Sequence, residues 1–500
     1  MMTAHWRALA LTAGCLFGLS RPVYGAGKYL KVDYPASTAA NQLQIAVTYT
    51  MWVPADVTRF RCVIVHQHGA GRNAAEHGAT AAYDLHWQAL AKKWDCALLG
   101  PYYRVLTDAI DTSPGGSQLW FDPRLGSDKA FLKALGEFAG QANHPELATV
   151  LWALWGHSGG GIWSDVMTTL HPDRVAAAFL RSGSFLGRPD FAQPETPVAA
   201  WAVPVMGNAG IKERERGAWI NTLARARESR SKGGPAGFAP DPRSGHETGD
   251  SRYLAIPFFD ACLEMRLPSR GSSSQALKPV DMSKAWLASF LSQTAVPASS
   301  YKGNPLEAMW LPNEQVARVW IEYVNSATVA DTTAPPAPFN VRVTSRGSAG
   351  NEITWDAEPD FESGIGGFFV MRDNRALVRL PTITPLGVYG RPLFQGLSYH
   401  DTPEGPPPEM RYLDVSAKPG EKHTYSVLTV NSAGVVSEPS AAVVVPSPES
   451  GKEQDHERFK GIFAVRSQVV VRSRHCLDFG QRASLTPPPE QSRLCSNGPG

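Results

Sequence analysis

The chain has 500 residues, of which 43% are hydrophobic and 19% charged, and this composition indicates a soluble globular protein of two or three domains. Lys and Arg (48) nearly balance Asp and Glu (46), so the net charge is only +2. This balance gives no electrostatic basis for binding nucleic acid or a strongly acidic partner. No stretch beyond the N-terminus is long and apolar enough to predict a transmembrane segment.

Residues 1–25 are predicted to be a signal peptide. Arg7 supplies the positive region, residues 8–19 form a short apolar run, and small residues precede a cleavage point before Ala26. Cys15 ends a segment similar to a bacterial lipoprotein signal, but Thr12 stands where Leu is usual, so lipid anchoring is the less favoured alternative. The prediction is a secreted or periplasmic protein.

Residues 27–325 are predicted to form one α/β domain. Residues 43–53 alternate like an antiparallel leading strand. Short apolar runs then alternate with amphipathic helical segments, a pattern typical of a mostly parallel sheet with helices on both faces. The predicted strands are residues 63–65, 97–99, 150–155, 175–180 and 199–206, and the predicted helices are residues 84–93, 128–139, 162–170 and 253–265.

A Thr-, Ala- and Pro-rich linker is predicted over residues 326–335, followed by a β-sandwich over residues 336–446. This second domain has short predicted strands at residues 339–344, 352–355, 367–372 and 425–431, without helices between them. Trp355 and Tyr425 are its expected core anchors. Residues 447–500 are predicted to be a disordered tail.

The cysteines show no metal-ligand spacing, so no metal is expected. No cofactor is expected either. Cys62 and Cys96 each begin an apolar run, which leaves a disulfide between neighbouring strands open. Cys476 and Cys495 are candidates to close a loop in the tail.

The strongest chemical signal is the motif Gly156-His157-Ser158-Gly159-Gly160, which lies between a predicted strand and a predicted helix. A nucleophile on such a sharp turn needs small neighbours because the backbone is crowded there. The helix N-terminus also directs amides toward a developing oxyanion. Ser158 is therefore the predicted nucleophile.

A small-residue loop follows the predicted strand at residues 63–65 and suggests an oxyanion hole. Ala70 and Gly159 are the candidate amide donors, and Gly69 is the alternative. His68 is expected to support this loop rather than to act as the base. His157 is expected to point away from Ser158.

The general base is expected late in the α/β domain, and His246 in a glycine-containing loop fits this position. The acid is expected just after the strand at residues 199–206, where Glu213 is the first carboxylate. Glu215 is the second choice, and Asp241 and Asp250 are more remote alternatives. The resulting order Ser, Glu, His is that of α/β-hydrolases.

Residues 60–265 resemble the α/β-hydrolase superfamily, nearest to secreted esterases of the feruloyl-esterase and polyhydroxybutyrate-depolymerase kind. The resemblance depends on His68-Gly69-Ala70-Gly71, on the motif around Ser158 and on Gly245-His246. It implies hydrolysis of carboxylic esters through an acyl-serine intermediate, although Glu213 stands where aspartate is commoner. Residues 336–446 resemble fibronectin type III domains through Trp355 and the run 425–431, which implies a spacer or docking module.

The segment 101–125 follows a strand at the edge where ligands of α/β sheets bind. Tyr102, Tyr103 and Trp120 are candidate substrate-binding residues, with packing of the loop as an equal alternative. The expected partner is a small-molecule or polymer-attached ester. Little room is left for a large lid between Ser158 and Glu213, and the resulting open cleft would suit a bulky or polymer-attached ester.

Two further interpretations remain open. The same residues would serve a serine peptidase, because the triad alone does not distinguish ester from amide. The chain could instead be an inert binding protein whose sandwich docks to carbohydrate or to another surface.

Overall fold

The computed structural model describes residues 27–71, 77–104, 118–272, 274–328, 330–386 and 393–445. The predicted signal peptide, the tail and its two cysteines lie outside these ranges. Among the described residues, no helix combines the length and apolarity that a bilayer span requires.

The first domain is built on an eight-stranded mixed sheet with the order β1-β2-β4-β3-β5-β6-β7-β8. Strand β2 is antiparallel to β1 and β4, and all neighbours from β4 through β8 are parallel. The strands are β1 (Gly27–Tyr34), β2 (Val47–Pro54), β3 (Cys62–Gln67), β4 (Cys96–Tyr103), β5 (Leu151–His157), β6 (Val175–Arg181), β7 (Val205–Gly210) and β8 (Ala236–Asp241).

Helices follow most of the parallel strands, which confirms the predicted α/β class, and the arrangement fits the α/β-hydrolase fold. They are α1 (Leu85–Lys93), α2 (Gln118–Phe121), α3 (Ser127–Ala142), α4 (Gly159–Leu170), α5 (Val198–Trp201), α6 (Gly217–Ser231), α7 (Arg252–Arg266) and α8 (Glu314–Ser326).

The central strands are buried on both faces. Every residue of β3, β5 and β6 is buried, as expected for parallel strands between two layers of helices. Successive side chains of β3 enter different cores: Val63 and Val65 join one apolar cluster, and Ile64 joins the other.

The strand predicted at residues 199–206 is only partly correct. Residues Val198–Trp201 form the short helix α5, and the strand begins at Val205. Pro204 separates the two elements, because proline has no N–H to donate and disfavours helical backbone at the residue before it.

The end of this domain contains elements that the sequence patterns did not predict. A small antiparallel sheet with the order β10-β9-β11 precedes α8, and Trp310 of β11 and Trp320 of α8 are fully buried. Its strands are β9 (Trp286–Ser289), β10 (Val296–Pro297) and β11 (Ala308–Leu311).

Cys62 and Cys96 are register partners on the neighbouring strands β3 and β4. Both are buried free thiols, as is Cys262, so the disulfide left open by the sequence is not present. Burial raises the pKa of the Cys96 thiol well above its ordinary value.

The second domain consists of two antiparallel sheets with the orders β12-β13-β16 and β15-β14-β17-β18. Trp355 and Tyr425 are buried in its core, as predicted, and Trp355 packs edge-on against Phe368. The strands are β12 (Phe339–Ser345), β13 (Asn351–Asp356), β14 (Ile365–Arg372), β15 (Arg375–Leu380), β16 (Arg411–Asp414), β17 (Thr424–Asn431) and β18 (Val443–Val444).

The two domains are in direct contact. Lys92 of α1 pairs with Glu358, and the backbone N–H of Leu85 donates to Gln395 Oε1 at 2.9 Å. Beyond Gln395 the chain forms a tight turn, here called the 397–403 hairpin, closed by an antiparallel bridge between Leu397 and Pro403.

Candidate active site

Ser158 lies on a sharp turn between β5 and α4. Its backbone has φ 53° and ψ −116°, a left-handed conformation rare for a residue with a side chain. Such backbone strain costs on the order of 1–3 kcal/mol and persists only where the surroundings enforce it. Here the Ser158 N–H donates to Arg181 O at 2.8 Å, and Ser158 O accepts from Ile162 N–H at 3.1 Å.

The glycines on both sides of Ser158 are required by close backbone contacts. A Cβ at Gly156 would collide with the carbonyl of Gly160, and a Cβ at Gly160 would lie 2.5 Å from Gln67 O. Neither position can therefore carry a side chain, and this is the physical reason for the two glycines of the motif.

The structure brings Ser158, His246 and Glu213 into one hydrogen-bonded chain. Ser158 Oγ lies 2.9 Å from His246 Nε2, and His246 Nδ1 lies 2.7 Å from Glu213 Oε2. Because a carboxylate only accepts, Nδ1 of a neutral His246 carries the proton and Nε2 is free to accept from the Ser158 hydroxyl. This tautomer is the one that a general base requires.

Glu213 is held on the single helical turn that follows β7. Its side chain is 1% exposed, and its second oxygen, Oε1, accepts from the Ser182 hydroxyl. The adjoining loops are packed tightly, since Lys212 N–H donates to Ser244 O at 3.1 Å. Both carboxylate oxygens of Glu213 are thus occupied.

The other candidate acids lie in different settings. Asp241 Oδ1 accepts from the backbone N–H groups of Arg243 and Ser244, and its Oδ2 accepts from the Tyr323 hydroxyl at 3.0 Å. Glu215 is exposed on the loop after Glu213. Asp250 lies in the turn before α7.

Arg181, at the end of β6, is a site-forming residue that the sequence analysis missed. Its guanidinium is fully buried, and it donates to the carbonyls of Gly245 and Glu247 and to Ser244 Oγ at 2.7 Å. It therefore holds the backbone on both sides of His246. The available sequence signal was an arginine directly after the apolar run at residues 175–180.

The loop after β3 lies against the N-terminus of α4. Ala70 N lies 3.2 Å from the position that a Cβ on Gly159 would occupy. The Gly159 N–H is at the first helical position, where no intrahelical acceptor is available. The amides of Ala70 and Gly159 thus border the same space, and Gly69 precedes them.

His68 stabilises this loop and is not near the Ser158 proton. Its Nδ1 lies 2.5 Å from Gly69 O, and its Nε2 accepts from Tyr103 N–H at 3.4 Å. Burial lowers the pKa of His68 to about 4, so the imidazole is neutral near pH 7.

His157 points away from Ser158 and toward the His246 loop. Its Nε2 lies 2.5 Å from the backbone carbonyl of His246, and its Nδ1 lies 2.6 Å from Nδ1 of His400. Burial lowers the pKa of His157 well below the ordinary value.

His400 belongs to the second domain, and the sequence analysis did not anticipate it at this site. With Tyr399 and Asp401 it forms the tip of the 397–403 hairpin. The only sequence signal was a Tyr-His-Asp run between strands, which carries no spacing or motif that relates it to Ser158.

The three aromatic residues proposed to bind substrate differ in exposure. Tyr103 and Trp120 are fully buried, and their rings are stacked at 4.8 Å, so they pack the core instead of lining an open cleft. Tyr102 is partly exposed beneath the Arg104 guanidinium. Phe121 lies beside the turn at Ser158, because its Cδ1 is 3.2 Å from the position of a Cβ placed on Gly159.

Within the ranges that the structure describes, no group of three or more His, Cys, Asp or Glu side chains could hold a metal ion.

No protein-family model matches the chain, and no curated protein is similar to it in sequence. Similar solved structures include poly(aspartic acid) hydrolase-1 from Sphingomonas sp. KT-1, with 16% identity, a TM-score of 0.32, and coverage of 45% of this chain and 94% of that one. A ferulic acid esterase has 15% identity, a TM-score of 0.31, and coverage of 44% and 92%. An S-formylglutathione hydrolase from Agrobacterium tumefaciens has 14% identity, a TM-score of 0.33, and coverage of 49% and 96%. At these scores the likeness carries no conclusion about substrate or mechanism.

Proposed function

We propose that this chain is an exported serine hydrolase that cleaves carboxylic esters through an acyl-serine intermediate. The observation that carries the proposal is the continuous chain from Ser158 Oγ to His246 to Glu213, with contacts of 2.9 and 2.7 Å. The three residues follow three different strands, β5, β7 and β8. Their meeting at the strained turn that carries Ser158 is difficult to explain by packing alone.

In the proposed reaction Ser158 Oγ attacks the ester carbonyl while His246 Nε2 accepts the hydroxyl proton. The Glu213 carboxylate stabilises the imidazolium that forms, and the amides of Ala70 and Gly159 donate to the oxyanion. His246 then protonates the departing alcohol. Water, deprotonated by His246, releases the carboxylic acid and restores Ser158.

We propose that the substrates include bulky or polymer-attached esters as well as small ones. Between β6 and β7 the fully described residues 182–204 contain only the four-residue helix α5. No lid domain therefore covers the site from this side. Poor turnover of polymer-linked aromatic esters relative to small soluble ones would contradict this part of the proposal.

The test compares the wild-type protein with Ser158→Ala on p-nitrophenyl acetate, p-nitrophenyl butyrate and methyl ferulate. We expect the variant to lose at least about 10³-fold in kcat, and a fluorophosphonate probe to label only the wild type. Ser164→Ala, on the buried side of α4, is the matched control for labelling. Absence of both ester hydrolysis and probe labelling in the folded wild type would refute the proposal that the chain is a serine hydrolase.

Peptide p-nitroanilides test the alternative of a serine peptidase with the same residues. Substantial turnover of the peptide p-nitroanilides would replace the esterase by the peptidase. Turnover of esters alone supports the proposal.

The export signal in residues 1–25 and the fibronectin type III character of the second domain are further parts of the proposal, supported by the sequence patterns. N-terminal sequencing of the exported protein tests the first: a mature chain that begins near Ala26 is expected, and one that begins at Met1 would contradict it.

A further inference from the structure

We infer that the 397–403 hairpin of the second domain is a positioning element of the active site, and that His400 holds the loop carrying His246 in its working position. This inference rests on the proposed function, because it assigns a role toward the proposed base. Three separate contacts of the hairpin converge on residues 246–252.

The first contact is a hydrogen-bonded chain through His157. The carbonyl of His246 can only accept, so His157 Nε2 carries the donated proton. A neutral His157 then has a bare Nδ1, and the proton between His157 and His400 must reside on His400 Nδ1. His400 is therefore the hydrogen-bond donor to His157 Nδ1, and through His157 it is linked to the position of the His246 backbone.

The second contact is a buried ionic network. Arg252, the first residue of α7, donates to Asp401 Oδ1 at 2.8 Å and to Asp84 Oδ2 at 2.6 Å. All three side chains are at most 5% exposed. Removal of one partner would leave an uncompensated buried charge, so the hairpin fixes the start of α7, six residues after His246.

The third contact joins the hairpin backbone to the loop itself. Thr248 Oγ1 donates to Tyr399 O at 3.0 Å. The hairpin that presents this carbonyl is braced internally, because Ser398 N–H donates to Thr402 O at 2.7 Å and the hydroxyls of the same two residues lie 2.7 Å apart.

The hairpin also contacts the proposed oxyanion loop. A Cβ at Gly69 would lie 2.9 Å from His400 Cε1 and Nδ1 and 3.2 Å from His157 Nδ1. The His400 ring thus fills the space behind Gly69. The same side chain limits the position of the loop that carries Ala70 and of the loop that carries His246.

An interface that only joined the two domains would not require the hairpin to contact both the Gly69 loop and the His246 loop. Contacts such as the ion pair of Lys92 with Glu358 join the domains at part-exposed side chains and touch neither loop. Glu358→Ala is therefore a matched control that weakens the interface without altering the hairpin.

The experiment measures kcat and KM for p-nitrophenyl butyrate with the full chain carrying His400→Ala, His400→Asn or Glu358→Ala. Asparagine places its side-chain N–H close to where Nδ1–H of histidine lies, so it can restore the donor to His157. We expect His400→Ala to lower kcat by about 10-fold or more with KM nearly unchanged, since small misplacements of catalytic groups are costly. His400→Asn should recover most of this loss, and Glu358→Ala should match the wild type.

Hydrogen exchange of residues 244–252 provides a readout that does not require activity. We expect faster exchange in His400→Ala and near-wild-type exchange in the other two variants. If the wild type fails to hydrolyse esters, the proposed function fails, and the exchange data still decide whether the hairpin holds the loop. Equal kcat and equal exchange in His400→Ala and Glu358→Ala would overturn the inference, as would an asparagine variant no better than alanine.

Discussion

Replacement of Glu213 by glutamine tests whether a buried negative charge makes His246 an effective base. The Glu213 carboxylate accepts from His246 Nδ1 on one oxygen and from the Ser182 hydroxyl on the other. A glutamine can offer its carbonyl to His246 and donate its amide to Ser182 Oγ, because a hydroxyl also accepts. The substitution thus preserves the shape and the tautomer and removes only the charge.

The expected loss follows from the charge separation. When His246 takes the Ser158 proton, it becomes positive beside Glu213, with the 2.7 Å contact placing the charge centres about 4 Å apart. At an effective dielectric constant of about 20 this attraction is about 4 kcal/mol, equivalent to about 10³-fold in rate. Since the His246 side chain is 35% exposed, solvent screening reduces this, and we expect kcat/KM to fall by about 10²–10³-fold.

The assay is the kcat/KM for p-nitrophenyl acetate at pH 7.5 or above, with thermal unfolding to verify that the variant is folded. Glu215→Gln, which removes an exposed charge from the same loop, is the control and should remain within about twofold. A loss below about tenfold in a folded Glu213→Gln variant would refute the electrostatic role and return the search for the acid to Asp241 and Asp250.

Three further predictions concern stability. Gly160→Ala should cost about 1–3 kcal/mol or prevent folding, because its Cβ would lie 2.5 Å from a backbone oxygen; Gly136→Ala, on an open face of α3, should instead gain up to about 1 kcal/mol in urea unfolding. Arg181→Met should destabilise by about 3–5 kcal/mol, because it removes the charged partner of the buried Asp241 and the donor to the carbonyls of Gly245 and Glu247; a loss below about 1 kcal/mol in the same unfolding assay would contradict this. Burial lowers the pKa of His400 to about 3, so between pH 6.5 and 3 the unfolded chain binds a proton that the folded chain does not, and stability falls as the pH falls. Between pH 7 and pH 5 the wild type should lose about 2 kcal/mol of its free energy of unfolding through His400, and the His400→Asn variant should not show this part of the loss. Identical pH dependence of the two urea midpoints would contradict the prediction.

The sequence predicted the elements that follow from local periodicity and from the geometry of a parallel sheet. Buried parallel strands are continuous apolar runs, and their carboxyl ends lie along one edge of the sheet. Ser158 follows β5, Glu213 follows β7 and His246 follows β8, so that edge brings together three residues far apart in the chain. The glycines around Ser158 predict the nucleophile, whereas β8 (Ala236–Asp241) is not among the predicted strands. His246 is predicted from its position in a glycine-containing loop late in the domain.

Other features depended on tertiary contacts that local patterns do not encode. The apolar run at residues 199–206 predicts a single strand, but the chain forms a short helix and then a strand on either side of Pro204. The sequence is equally compatible with ligand binding and with packing for Tyr103 and Trp120, and the two rings stack within the core. The contact between His157 and His400 spans 243 residues, and neither side chain belongs to a pattern that predicts the other.

The contact through His400 changes what should be regarded as the active-site unit. A first domain that ended after α8 would retain Ser158, His246 and Glu213, but Arg252 would lose Asp401, one of its two buried carboxylate partners. His157 would also lose its hydrogen-bond donor, His400. Without the His400 ring, the loop at Gly69 would be exposed to water on that side. A sandwich that served only as a spacer could be removed at little cost to turnover, whereas this one supplies partners to both loops that flank the nucleophile. On the proposed function, the second domain therefore contributes to kcat itself, and variation in residues 397–403 would be a route to altered turnover without any change in the triad.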